Sequence, residues 1–318
     1  MARKVEMQSI GTPAVLKIVE TDVGPPGTGQ VRLVQDVIGI NYVDVMVRTG
    51  LFPMRLPATP GFEAAGVIDA VGPGVTGFER GDRAAYFFFE GAYATASLIP
   101  VQKPVRLPHD ISNEVAATFL AKGLTAWMGL YALHRLTAGD VILVLGASGS
   151  VGSILSRWAR TLGATVIGVA GSPEKLAKVE AGATHAFLAS DPELSTKIRA
   201  IAQAGVDVVY DFVGKATFPL GVAAVRDGGV IAAIGAASGQ PPAVTEQMAS
   251  RGIQIRAGGT AQYVHGGTVA VATEQLWDAV RADLFSDLEV VRYRFDQIGG
   301  AHADMESRRL TGLPVLTV

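Results

Sequence analysis

The run Val141-Ile-Leu-Val-Leu-Gly-Ala-Ser-Gly-Ser-Val-Gly-Ser153 constrains this chain more than any other. Five apolar residues lead into a glycine turn, and Ile154-Leu-Ser-Arg-Trp-Ala-Arg160 then reads as a helix. Strand, glycine turn and helix in that order make a pyrophosphate-binding loop. Glycines let the backbone approach the phosphates, and the helix N-terminus offers them free N–H groups. The dinucleotide form here is Ala147-x-Gly149-x-x-Gly152, with Gly146 just ahead and Ser148, Ser150 and Val151 completing the loop. A match of this kind is weak alone. A second apolar strand, Thr165-Val-Ile-Gly-Val-Ala170, lies about one βαβ unit on and supplies the context.

The tip of that second strand bears on which dinucleotide binds. An NAD site usually places Asp or Glu there for the ribose 2′-hydroxyl. This strand instead runs into Gly171-Ser172-Pro173-Glu174-Lys175, with no acid at its tip. The Ser172 hydroxyl and the Lys175 charge both suit a 2′-phosphate. A charge-assisted hydrogen bond contributes roughly 1.5–3 kcal/mol, so NADPH is expected to be favoured by about one to two orders of magnitude. Glu174 is the counter-case, able to bond a ribose if the loop turns differently.

The 318 residues are enough for two domains, and 49% are hydrophobic against 18% charged, as in a well-buried α/β protein. A net charge of −2 with no block of one sign gives no electrostatic case for nucleic acid or an anionic membrane. There is no cysteine, which removes disulfides, thiolate metal sites and cysteine nucleophiles. The first residues hold no apolar signal core and no apolar run reaches a membrane span, so a cytoplasmic location is expected.

The first third reads as short strands and turns, with strands over 14–20, 30–34, 61–71, 83–89 and 92–98. Two helices follow, over 115–120 and 125–133. Strands then alternate with helices: strands at 141–145, 165–170, 186–188, 206–211 and 230–234, helices at 153–162, 173–181, 192–202 and 218–225. That alternation predicts a doubly wound parallel sheet of Rossmann type. A helix over 269–284 and a strand over 313–318 close the chain. The expected domains are therefore 1–122, mostly β; 123–258, binding the dinucleotide; and 259–318, too short to stand alone and returning to the first domain.

Zinc chemistry has little support. In Pro60-Gly61-Phe62-Glu63, phenylalanine stands where a zinc alcohol dehydrogenase has a ligand histidine. The five histidines show no HxH or HExxH spacing, so no metal ligand is expected. None of the seven tyrosines is followed by Lys four positions later, against a short-chain dehydrogenase, and Gly146-Ala-Ser148-Gly-Ser150 lacks the last glycine of a hydrolase elbow.

Gly39-Ile-Asn-Tyr-Val-Asp44, Arg48-Thr-Gly-Leu-Phe-Pro53, Pro60-Gly-Phe-Glu-Ala-Ala-Gly-Val67, Lys122-Gly-Leu-Thr125, Val209-Tyr-Asp-Phe-Val-Gly214 and Glu306-Ser-Arg308 occur in order along essentially the whole chain. Together they resemble the zinc-free quinone oxidoreductase (zeta-crystallin-like) branch of the medium-chain dehydrogenase/reductase superfamily. The resemblance implies a GroES-like catalytic domain beside the Rossmann domain, an NADPH-dependent reductase, and a homodimer. It puts Asn41 near the nicotinamide, Ser172 and Lys175 at the 2′-phosphate, and Thr125 among the cofactor contacts. Phe212, Val213, Gly214, Ile234, Gly235 and Ala236 fall beside the ribose and nicotinamide, and Arg308 is a C-terminal basic contact. Three positions depart from the family pattern: Phe52 replaces a tyrosine in the substrate loop, Ala189 falls where a tyrosine lies near the adenosine phosphate, and Gly312-Leu313 replaces a Gly-Lys pair.

The expected chemistry is hydride or electron transfer from NADPH to a quinone or similar conjugated acceptor. Tyr42 and Phe52, with Trp127 and Tyr263, are candidates for an aromatic wall beside it. Two other readings stay open. One is an NADPH-dependent ene reductase of α,β-unsaturated aldehydes or ketones, with Tyr93 or water as its acid. The other is a non-catalytic NADPH-binding sensor or structural protein.

Overall fold

The computed structural model describes residues 1–307 and 310–318. They divide into two compact units: Met1–Ala121 with Leu288–Val318, and Lys122–Asp287.

Along the chain the first unit opens with strands β1 (Ala2–Glu6), β2 (Lys17–Thr21) and β3 (Gln30–Gly39), then helix α1 (Tyr42–Thr49). Strands β4 (Glu63–Val71), β5 (Arg83–Phe87), β6 (Ala96–Pro100) and β7 (Val105–Arg106) follow, and then helix α2 (Asn113–Trp127), whose residues from Lys122 on belong to the second unit. The second unit runs β8 (Val141–Leu145), α3 (Ser150–Thr161), β9 (Thr165–Ala170), α4 (Leu176–Gly182), β10 (His185–Leu188), α5 (Leu194–Ile201) and β11 (Val206–Asp211). It continues through α6 (Phe218–Ala224), β12 (Val225–Ala233), α7 (Glu246–Ser250), β13 (Gln254–Ala257) and α8 (Gly267–Arg281). The chain ends with β14 (Val290–Arg294), α9 (Ile298–Glu306) and β15 (Leu313–Thr317).

In the first unit the main sheet has the order β14-β15-β3-β4-β5-β7, with β6 also paired to β3. Apolar residues alternate inward along β3, which buries Val31 and Leu33, and this period-2 pattern aims them at one core. Val5, Ile38, Ile68, Tyr86, Ile99, Phe295 and Leu316 join them there. Each buried Val, Leu, Ile or Phe adds about 1.5–3 kcal/mol relative to exposure.

In the second unit all six strands are parallel in the order β10-β9-β8-β11-β12-β13. From β8 the chain moves outward to β9 on one side and later returns to β11 on the other. The crevice at the carboxyl ends of β8 and β11 is thus the topological switch point, where open α/β sheets bind ligands.

The domain limits expected from sequence differ at the third boundary. Residues 259–287 pack within the second unit, and only Leu288–Val318 belongs with the first. The reason lies in α8 and its sequel. Leu276 and Trp277 are buried, Phe285 lies edge-on to Trp158, and Asp287 accepts from Arg157 Nε at 2.8 Å. The return begins where β14 pairs with β15.

Candidate functional site

At the end of β8 the chain turns at Gly146, whose φ of 83° lies in the left-handed region that glycine favours. The Gly146 carbonyl accepts from Gly149 N–H at 2.9 Å and folds the loop back on itself. Gly152 lies directly against it: a β-carbon there would overlap the Gly146 oxygen and sit 3.1 Å from Ala147 Cα. Helix α3 begins at Ser150, three residues before the sequence pattern suggests, and Gly149 caps it without a side-chain bond. Its first-turn N–H groups lack intrahelical carbonyls and carry the positive end of the helix dipole. Ala147 is buried, Ser148, Ser150 and Val151 are half-buried, and Gly149 is exposed. A loop with no β-carbon at its closest approach, set at a helix N-terminus on the switch point, fits a pyrophosphate.

The neighbouring loops are tied to this one. Phe212 N–H donates to the Leu145 carbonyl at 3.1 Å, and Gly146 lies close under Phe212 and Val213. Asp211 Oδ1 accepts from Val213 N at 2.8 Å, Gly214 N at 2.9 Å and Thr217 Oγ1 at 2.8 Å. Its backbone carbonyl accepts from Ile234 and Gly235, at 3.0 and 2.9 Å. Burial pushes the Asp211 carboxyl above its ordinary range, while these bonds pull it back. Asp211 therefore holds the loop rather than facing a ligand. Structure thus gathers Phe212, Val213, Gly214, Ile234 and Gly235 beside the glycine loop, with Ala236 next in the chain.

Beyond β9, Ser172 and Lys175 are half-buried and share one turn, with Lys175 N–H donating to the Ser172 carbonyl at 3.1 Å. Exposed Glu174 is held below the usual carboxylate range, first by a hydrogen bond from the Ser172 side chain. Thr125 on α2 meets Thr260 hydroxyl to hydroxyl at 2.9 Å. Trp127 is buried, donates to Gln275 at 2.5 Å and stacks on Tyr131, so it is core rather than wall. Tyr263 donates its hydroxyl to the Ala257 carbonyl at 2.9 Å. Arg308 lies outside the described residues.

In the first unit Asn41 stands at the N-terminus of α1. Its backbone N–H donates to Asp44 Oδ2 at 2.7 Å, and its amide Nδ2 donates to Glu63 Oε2 at 2.9 Å. Glu63 is fully buried, and its other oxygen accepts from Ala121 N–H of α2 at 2.6 Å. Beyond Asn41 the next residue, Tyr42, is 38% exposed, and Phe52 is 46% exposed. Phe62 packs against Met7, Val47 and Ala58. Among the described residues no group of three or more His, Cys, Asp or Glu could hold a metal ion.

Behind Asn41 runs a buried polar chain that sequence reasoning missed. Tyr93 donates its hydroxyl to Asp44 Oδ2 at 2.9 Å and lies 3.0 Å from His302 Nε2. Arg48 Nε donates to His302 Nδ1 at 3.2 Å, and its guanidinium pairs with Glu306 at 2.5 Å. Since Nδ1 accepts, the ring proton sits on Nε2 and points at Tyr93. Burial, with Arg48 beside it, pushes His302 down to about 3. Burial and the Asp44 charge hold the Tyr93 phenol well above its ordinary value. The local signal was available in Asn41-x-x-Asp44, a capping pair before an amphipathic turn ending at Gly50. Nothing local marks His302.

Residues 27–144 match the family model of the alcohol dehydrogenase GroES-like domain, and residues 150–270 that of the zinc-binding dehydrogenase. The chain is 35% identical to a 2-haloacrylate reductase of a Burkholderia species, over 93% of each protein. It is 33% identical to a quinone oxidoreductase of Pseudomonas aeruginosa, over 99% of each. A solved structure of Escherichia coli quinone oxidoreductase complexed with NADPH is similar at a TM-score of 0.95 and 29% identity, over 99% of this chain and 100% of that one.

Proposed function

The chain belongs to the zinc-free quinone oxidoreductase branch of the medium-chain dehydrogenase/reductase superfamily, and on that footing we propose that it is an NADPH-dependent quinone oxidoreductase. The observation that carries the reading is the glycine loop on α3, where Gly152 leaves the backbone open to a pyrophosphate. The Pseudomonas quinone oxidoreductase and the NADPH complex of the E. coli enzyme support it.

The reduced nicotinamide supplies the hydride. Ala147, Ser148, Gly149, Ser150, Val151 and Gly152 hold the pyrophosphate, while Ser172 and Lys175 take the 2′-phosphate, Ser172 by exchanging its bond to Glu174. Thr125, Phe212, Val213, Gly214, Ile234, Gly235 and Ala236 line the ribose and nicotinamide. Asn41 orients the nicotinamide end, and the exposed rings of Tyr42 and Phe52 offer a flat acceptor a stacking surface. Tyr93 gives up no proton here, because it is fully buried and held in its neutral form. Water protonates the product, which suits an acceptor whose reduced anion is already stabilised and suits a simple ketone poorly.

The similarity to the 2-haloacrylate reductase favours one second reading, reduction of an activated carbon–carbon double bond. Loss of NADPH absorbance with a quinone, an enone and a ketone in parallel separates the two. Turnover with the quinone supports the main reading. Turnover with the enone alone replaces it by the second, and silence with all three despite NADPH binding overturns both.

The same reading includes a cytoplasmic homodimer. Among the described residues no helix is long and apolar enough to cross a membrane. Strand β13 closes one edge of the six-stranded sheet and leaves a row of backbone groups for a second copy.

A further inference from the structure

Glu63 has no task in the reading above, yet it decides how Asn41 presents itself. Its carboxylate is fully buried and accepts on both oxygens, from Ala121 N–H at 2.6 Å and from Asn41 Nδ2 at 2.9 Å. The chain makes room for it. A β-carbon at Gly39 would overlap both Glu63 Oε2 and the Ala117 carbonyl, so β3 passes this carboxylate only as glycine. An Asn41 amide flipped by half a turn would set Oδ1 against Oε2, acceptor facing acceptor. The amide is thus locked with Nδ2 inward and Oδ1 turned away from the carboxylate.

We infer that Glu63 is a positioning residue that fixes the Asn41 carbonyl oxygen as an acceptor for a hydrogen-bond donor on the nicotinamide riboside, a ribose hydroxyl or the carboxamide N–H. The inference rests on the NADPH reading of the site and narrows it. A quinone oxygen has no hydrogen to donate, so Asn41 serves the nucleotide and not the acceptor.

The test is a pair of substitutions that reverses and then restores this polarity. In Glu63→Gln, the Gln oxygen keeps the Ala121 N–H, and its NH₂ faces residue 41. Asn41 must then flip and present a donor outward. NADPH affinity, read by fluorescence titration, and kcat/KM are expected to fall about tenfold or more. In Asn41→Asp, two carboxylates face each other. Activity is expected to be low in alkaline buffer and to recover in mildly acid buffer, where a shared proton restores the bond. In Asn41→Asp/Glu63→Gln, Asp accepts from Gln and keeps an oxygen outward, at the charge of the wild type. Affinity is expected to return to within about threefold of wild type, with no added pH dependence. A merely structural Glu63 would give no such rescue, because Asn41→Asp repairs nothing at Ala121.

A double variant no better than Glu63→Gln, or a folded Glu63→Gln that binds NADPH like wild type, overturns the inference while leaving the NADPH reading intact. A wild-type protein that binds no NADPH overturns both.

Discussion

Gly152 and Gly146 are in such close contact that no side chain can stand between the start of α3 and the turn before it. In Gly152→Ala the methyl must displace the Gly146 carbonyl, and with it the loop that receives the pyrophosphate. NADPH affinity is expected to fall by about tenfold or more, since even one well-placed hydrogen bond to a charged group contributes about 1.5–3 kcal/mol. Titration of cofactor fluorescence reads this directly. An alanine variant with unchanged affinity would show that the phosphates sit elsewhere.

Lys175 shares its turn with Ser172. Lys175→Ala is expected to raise the KM for NADPH about ten- to hundred-fold and to leave that for NADH nearly unchanged. Activity should return at saturating NADPH. Equal losses with both nucleotides would remove Lys175 from the 2′-phosphate.

His302 couples the fold to pH. Pushed down to about 3, the ring stays neutral in the native state, whereas in the unfolded chain it takes a proton near 6.5. Between these values the unfolded state binds the extra proton. The stability of neutral His302 is complete above about pH 6.5 and falls by about 1.4 kcal/mol per pH unit as acid is added. His302→Gln keeps an acceptor for Arg48 and a donor for Tyr93 without the titration. Urea unfolding of both proteins between neutral pH and pH 5 should give a steeper loss for wild type. Parallel slopes would mean that the imidazole is protonated within the fold.

Among the described residues strand β13 pairs with β12 and with no other strand. Sedimentation at micromolar concentration is expected to show a dimer. A monomer would assign that edge another cover.

Strands β8, β9 and β11 have the limits that the sequence pattern assigns, because each is a short, valine-rich or isoleucine-rich segment that the sheet buries almost throughout. The glycine loop was legible for the same reason, since its chemistry is local. Helix α2 was not. Its pattern breaks at Lys122-Gly123 and reads as two helices, but the glycine is there for tertiary packing, as a β-carbon would overlap Leu276. Helix α1 escaped because Asp44 and Arg48 are buried polar residues, which resemble loop until their partners are known. Arg48 finds His302 254 positions away, and Asn41 finds Glu63 22 away. Such pairings leave no period in the sequence.

The seven-stranded sheet carries a consequence for how the molecule is made. Strand β15, the last element of the chain, lies between β14 and β3, and Val315 pairs with Gly39. The first unit therefore cannot complete its sheet until Leu313–Thr317 has been made. Lys122–Asp287 is one uninterrupted stretch, whereas the first unit is assembled from two. Assembly thus runs against the numbering: the second unit is complete in sequence at Asp287, while the unit begun earlier waits for β15.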